Sequence, residues 1–172
     1  RFNKDLEPEC WAAESFSMED EGRLLRFRLR KGILWEDGTE LTAEDVAFTY
    51  KLVIDPATGS PYADDFLQIK EFRVLDRYSF EVRYERFFAR AVSSWMNPIL
   101  PRHILEGQNI RATPFARKPV GAGPYRLRRW EPGVRIVLEA SPTYFLGRPH
   151  ISEVVFRIIP DTATMFMETR AG

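Results

Sequence analysis

Residues 25–48 read Leu-Arg-Phe-Arg-Leu-Arg-Lys-Gly-Ile-Leu-Trp-Glu-Asp-Gly-Thr-Glu-Leu-Thr-Ala-Glu-Asp-Val-Ala-Phe. The first six alternate: Leu25, Phe27 and Leu29 against Arg26, Arg28 and Arg30. Period-two patterning of this kind predicts a half-buried strand. Lys31-Gly32 then turns the chain toward Trp35-Glu36-Asp37-Gly38. The Asp-Gly pair suits a tight turn, because Gly accepts positive φ and Asp bonds nearby backbone amides. Thr42-Ala43-Glu44-Asp45 predicts a helix start, with a capping hydroxyl and two carboxylates at the positive end of the helix dipole. Val46, Tyr50 and Val53, with Ala47 and Ile54 beside them, form one apolar stripe at helical spacing, and Pro56 ends it.

Outward from this block the pattern stays mixed. Residues 55–65 read as a loop, rich in Pro, Gly, Ser and Asp, that leads into an aromatic segment around Tyr62 and Phe66. Residues 69–74 and 78–84 predict two paired strands around Asp76-Arg77. Residues 88–95 predict a short helix with Phe88, Ala91, Val92 and Trp95 inward. Pro101 suits the first turn of another, stopped by Gly107. A polar, basic loop follows over residues 109–123, and a boundary is placed there. Residues 125–130 and 134–139 predict a hairpin, with Pro132-Gly133 at the centre of a type II turn. Residues 154–159 are apolar at nearly every position, which predicts a strand covered on both faces. Asp161 then caps a final helix carrying Met165 and Phe166. The fold class expected is α+β: mostly antiparallel or mixed sheet with a few short helices.

The chain has 172 residues, 44% apolar and 29% charged, which excludes disordered, collagen-like and bilayer-spanning compositions. Lysine plus arginine equals aspartate plus glutamate at 25 each, so the net charge is zero. A chain that wraps nucleic acid is usually basic throughout. The charge is nevertheless uneven: residues 1–51 hold twelve acidic against eight basic side chains, and residues 111–135 hold seven basic against Glu131 alone. The chain opens on Arg1 and closes within the helical stretch that ends at Gly172, the expectation for a segment of a longer protein. The lack of a targeting sequence is therefore uninformative.

Catalytic patterns are weak. His103 and His150 stand far apart, with no Cys or Glu at metal-ligand spacing, and no metal or other cofactor is expected. Cys10, the single cysteine, has no nearby base. Gly121-Ala122-Gly123 resembles a phosphate loop, yet Pro124 removes a donor and a strand follows where a helix is needed. The carboxylate pairs Glu44-Asp45 and Asp64-Asp65 read as structural: the first as capping, the second lacking the alternating ligands of a calcium loop. Arg126, Arg128 and Arg135 predict the exposed face of a hairpin. That face is expected either to be solvated, to meet acidic residues in a remainder of the protein beyond this segment, or, with Tyr125 and Trp130, to meet single-stranded nucleic acid. Aromatics make up 13% of the chain, and several are placed outside periodic core positions, such as Tyr62 and Trp95, the latter next to Met96 and Asn97. Loop aromatics next to an amide suit a pocket for a mostly apolar ligand or a peptide.

Taken in order, five motifs resemble the family 5 extracellular solute-binding proteins, the receptors of peptide and nickel ABC importers. They are the block over residues 27–48; Asp55-Pro56 with Ser60-Pro61-Tyr62-Ala63; Ile99-Leu100-Pro101-Arg102-His103-Ile104-Leu105; Gly121-Ala122-Gly123-Pro124-Tyr125 with Trp130-Glu131-Pro132-Gly133; and Pro142-Thr143-Tyr144 through Ile158-Ile159-Pro160-Asp161. The resemblance runs from about Leu6 to Gly172. It implies a periplasmic binding protein fold of type II, with residues 1–120 as a small accessory subdomain and residues 121–172 as the first strands of a main lobe. It also implies a receptor, not an enzyme, that closes on its ligand at the outer face of the cytoplasmic membrane. Such a receptor delivers an oligopeptide or similar solute to membrane permease subunits, and a monomer with no nucleic-acid partner is expected. The ligand side implied is Tyr62, which approaches the peptide, and the segment Ser94, Trp95, Met96 and Asn97, which borders the cleft. Nickel complexes, opines and sugars are other ligands of the family, and the neutral Asn97 weakens the metal-chelate reading. The class-level rival is a nucleic-acid or protein interaction domain using the basic face over residues 111–135.

Overall fold

The computed structural model describes residues 3–5 and 7–171; Arg1, Leu6 and Gly172, at the edges of the expected subdomains and of the resemblance, lie outside them. The chain divides into two compact units. The first takes in Ile33 and the described residues before it, with Glu40–Thr113; the second joins Leu34–Thr39 to the residues from Pro114 onward.

In the first unit, β1 (Ala13–Glu19), β2 (Leu24–Leu29), β3 (Ile69–Asp76) and β4 (Ser79–Tyr84) form an antiparallel sheet in the order β1-β2-β4-β3. The alternation over residues 25–29 sets its two faces. Leu25 lies opposite Met18 and Val82, and Phe27 opposite Phe16 and Phe80, so the apolar partners share one side. On the other side, ion pairs cross all four strands: Glu19–Arg26 at 2.7 Å, Arg26–Glu81 at 3.2 Å, Arg73–Glu81 at 3.7 Å and Arg73–Glu71 at 2.7 Å. β1 carries only Phe16 and Met18 as large apolar residues and is exposed along most of its length, so sequence periodicity does not reveal it. Pairing with β2 is what makes it a strand.

Helix α1 (Ala43–Ile54) begins as expected. Asp45 Oδ2 accepts the Thr42 backbone N–H at 2.8 Å, the return arm of a capping box. The chain leaves the helix at Asp55, before Pro56. Val46 is buried, and Tyr50 stacks on Phe72 with ring centroids 5.1 Å apart, which seats the helix on the apolar side of the sheet. A four-residue helix, α2 (Ala63–Phe66), closes the stretch expected to be loop. Residues 88–95 do not form the expected helix. They make a run of turns ending in a 3-10 turn at Ser93–Met96, with Ala91 and Ser94 buried and Trp95 half-buried. Helix α3 (Arg102–Leu105) follows Pro101, and Gly107 stops it at φ +78°.

In the second unit, β5 (Tyr125–Glu131), β6 (Arg135–Ala140) and β7 (Glu153–Arg157) form an antiparallel sheet in that order. The Val134 N–H closes the β5–β6 turn on the Glu131 carbonyl at 3.0 Å, with Gly133 at φ +74°, the type II geometry expected. Asp161 Oδ2 accepts the Thr164 N–H at 2.6 Å at the start of α4 (Thr162–Ala171). One expectation is corrected: β7 is not covered on both faces. It is the edge of a three-stranded sheet, with Val155 45% and Phe156 55% exposed.

Candidate ligand-binding site

Tyr62 sits at the N-cap of α2 and is 54% exposed. Its neighbours on the helix are tied down. Asp65 receives a hydrogen bond from the Arg90 guanidinium, and its Oδ2 lies 3.1 Å from Ser94 Oγ. Ser94 is buried, and its hydroxyl also lies 2.8 Å from the Arg90 carbonyl. The structure therefore connects the segment carrying Tyr62 to the turn carrying Ser94, Trp95 and Met96 through one carboxylate. Sequence reasoning treats Asp64-Asp65 as a local pair. The connection to Ser94 spans 29 residues, and no pattern in the sequence signals it.

Trp95 is held in an aromatic cluster. Its ring lies 5.0 Å from Phe66, 5.4 Å from Phe80 and 5.8 Å from both Phe27 and Phe72. Its indole N–H donates to the Tyr84 hydroxyl at 3.3 Å. Burial pushes the Tyr84 phenol up to about 12, so it stays neutral and keeps its proton for the Ala91 carbonyl, 3.4 Å away. Trp95 thus anchors the turn to the core. Met96 and Asn97 are half-buried, and the Asn97 amide donates through Nδ2 to the Ser94 carbonyl at 3.2 Å. A single element pair, α2 and the 3-10 turn, brings the sequence-predicted residues into one region of the first unit. An open groove of about 730 Å³ also lies in this unit, between Leu67-Gln68 and Glu85 to Ala89; none of the predicted residues lines it.

The glycine loop is accounted for without a phosphate. Glu36 Oε1 accepts the Gly121 N–H at 3.2 Å, and the Glu36 N–H donates to the Gly121 carbonyl at 3.0 Å. The amide a phosphate would need is already engaged by a carboxylate. Burial raises the Glu36 pKa, against the Gly121 hydrogen bond and the Arg126 charge, which lower it.

The basic stretch is likewise matched within the chain. Arg126 pairs with Glu139 at 2.8 Å, Arg128 with Glu153 at 2.6 Å, and Arg129 and Arg135 share Glu131 at 3.0 and 2.6 Å. Arg117 stacks over Trp130, 4.5 Å from the ring centre. Two of the carboxylates, Glu139 and Glu153, lie beyond residue 135, so a count over residues 111–135 misses them.

Residues 7–172 match the family described as bacterial extracellular solute-binding proteins, family 5 Middle. The chain is 33% identical over 180 residues to the oligopeptide-binding protein AppA of Bacillus subtilis (strain 168), a match over 100% of this chain and 33% of AppA. The crystal structure of that AppA in complex with a nonapeptide superposes with a TM-score of 0.91 at 29% identity, over 100% of this chain and 35% of that one. NikZ from Campylobacter jejuni, solved in complex with Ni(L-His), superposes with a TM-score of 0.94 at 24% identity, over 100% of this chain and 35% of NikZ, and shares the fold. The chain spans about a third of the length of the relatives it matches. With the ordered motifs, the mixed antiparallel architecture and these likenesses agreeing, the chain belongs to the bacterial extracellular solute-binding proteins of family 5.

Proposed function

We propose that the protein carrying this chain is the substrate-binding component of an ABC importer that captures oligopeptides outside the cytoplasmic membrane and delivers them to its permease. In this reading residues 1–120 form the small accessory subdomain, residues 121–172 begin the main lobe, and the receptor works as a monomer. Tyr62, Ser94, Trp95, Met96 and Asn97 form part of the ligand wall. The observation that carries the reading is the exposed Tyr62 at the head of a helix pinned to the Ser93–Met96 turn. That arrangement offers an aromatic face and a phenol at the head of α2, and the Asn97 amide after the turn to which α2 is linked, a combination that suits an extended peptide with its alternating apolar and amide groups. Relatives named for oligopeptide binding support the substrate class. The rival nucleic-acid reading is disfavoured because Arg126, Arg128, Arg129 and Arg135 already pair with carboxylates.

Native mass spectrometry of the full-length protein, purified without added ligand, tests the proposal. A ladder of bound masses that fragment as short peptides is expected. A single discrete adduct, metal-containing or sugar-like, overturns the substrate class. Tyr62→Ala and Asn97→Ala are each expected to weaken peptide affinity about tenfold with the fold intact, a loss of one good polar or stacking contact. Unchanged affinity in both removes the site assignment.

A further inference from the structure

We propose that Asp65 is the positioning residue of the peptide site, setting Tyr62 and Asn97 in fixed relation to each other; the inference rests on the peptide-receptor reading above. Asp65 and Phe66 are adjacent on α2, and they meet Ser94 and Trp95, adjacent on the 3-10 turn. The first pair is polar, with Asp65 Oδ2 3.1 Å from Ser94 Oγ. The second is apolar, with Phe66 and Trp95 edge to face at 5.0 Å and 73°. Two unlike contacts side by side fix both the separation and the rotation of the two segments.

The carboxylate does what a neutral side chain could not. Its second oxygen takes the Arg90 guanidinium, while the Ser94 hydroxyl lies within reach of both Asp65 and the Arg90 carbonyl. Charge-assisted hydrogen bonds of this kind are shorter and stronger than neutral ones. The Asp65 side chain is largely shielded, at 22% exposure, whereas the Arg90 side chain is 67% exposed. Tyr62 lies one helical turn before Asp65 and Phe66, on the same short helix. Asn97 is set from the other side, because its amide hydrogen bonds to the Ser94 carbonyl at 3.2 Å. Both proposed ligand contacts therefore depend on the Asp65–Ser94 link. A ligand meets side chains already placed, so it does not have to order them on binding.

The test uses the full-length protein and combines two measurements on Asp65→Ala, Asp65→Asn and Ser94→Ala, each with and without Tyr62→Ala. The first is amide hydrogen exchange. Asp65→Ala is expected to speed exchange about tenfold or more in residues 62–67 and 93–97 while the β2–β4 amides keep their rates. The second is calorimetric affinity for a pool of synthetic tri- to nonapeptides. Asp65→Ala is expected to weaken binding about tenfold when Tyr62 is present and only about threefold when Tyr62 is alanine and Asn97 alone is left to misplace, the coupling that a positioning role requires. Asp65→Asn, which keeps an acceptor for Ser94 but loses the charge that holds Arg90, is expected to recover only part of the affinity. Unchanged exchange overturns the proposal, as does an equal affinity loss in both Tyr62 backgrounds. If Asp65→Ala loosens the sheet as well, Ser94→Ala, which deletes one hydroxyl, decides by the same two readouts. Local loosening with full affinity in both Asp65→Ala and Tyr62→Ala supports the clamp and overturns the site reading beneath it.

Discussion

Asp45 is only 5% exposed and serves two helices at once: Oδ2 accepts the Thr42 N–H at the head of α1, and Oδ1 accepts the Arg102 N–H at the head of α3 at 2.9 Å. One turn later, the Thr49 hydroxyl donates to the Asp45 carbonyl and accepts the Leu100 N–H, both at 2.8 Å. A capping role for Asp45 is legible in Thr42-Ala43-Glu44-Asp45; its hold on residues 100–102 is not, because that partner lies 57 residues away. Asp45→Ala is expected to cost about 3 kcal/mol in chemical denaturation, since two shielded N–H groups lose a charged acceptor. Two glutamates should show opposite pH signatures. Glu40 has a lowered pKa, first because it accepts the Gly32 N–H and then through Arg77, so its contribution is full at neutral pH and fades as pH falls through the carboxylate range. Glu36 has a raised pKa, so folding binds a proton and its ionisation penalises the native state as pH rises from the ordinary glutamate range upward. Thermal melts across pH 3–8 (about the span of both titrations) should therefore find Glu40→Gln losing most relative to the parent at neutral pH. Glu36→Gln should instead gain relative to the parent as pH rises.

Among the elements, the β1–β2 hairpin carries backbone strain at its tip. Asp20 and Glu21 adopt φ of +51° and +53°, followed by Gly22 at +84°. Only the last of these residues suits the left-handed region without cost. Asp20 has a reason to stay, since its carboxylate binds Arg23 at 2.7 Å and Arg83 at 2.9 Å. Glu21 is exposed and makes no comparable anchor among the contacts described, so Glu21→Gly is expected to stabilise by about 0.5–1 kcal/mol net in denaturant titration. At this scale β2, α1 and the β5–β6 turn follow from period and turn chemistry, since each is specified by residues within a dozen positions. The turns over residues 88–96 are tied through Ser94 to Asp65, a partner outside any local window.

For the molecule as a whole, six of the exposed apolar side chains of the second unit fall on β7, the residue after it and α4: Val155, Phe156, Ile158, Met165, Phe166 and Met167. β7 presents Val155 and Phe156 on an edge strand, the combination that favours intermolecular pairing. With zero net charge there is little electrostatic repulsion to oppose association near neutral pH. Expressed alone, this 172-residue chain is expected to self-associate with rising concentration, read by analytical ultracentrifugation. Phe156→Lys should reduce that association, and sedimentation unaffected by the substitution would locate the contact elsewhere.

Residues 25–48 by themselves determined a strand, a turn and a capped helix, because alternation, Asp-Gly and Thr-x-x-Asp act over a few residues. Their order along the chain, with the later Leu-Pro and Gly-Ala-Gly-Pro segments, determined the family. What only the tertiary structure decided is which charges meet and which loops are held. The arginines over residues 126–135 are neutralised by strand partners, and Asp65 reaches across the fold to Ser94. Composition counts charges without placing them, and hydrogen bonds between residues distant in sequence exist only once sheet register and helix packing have brought their atoms within about 3 Å.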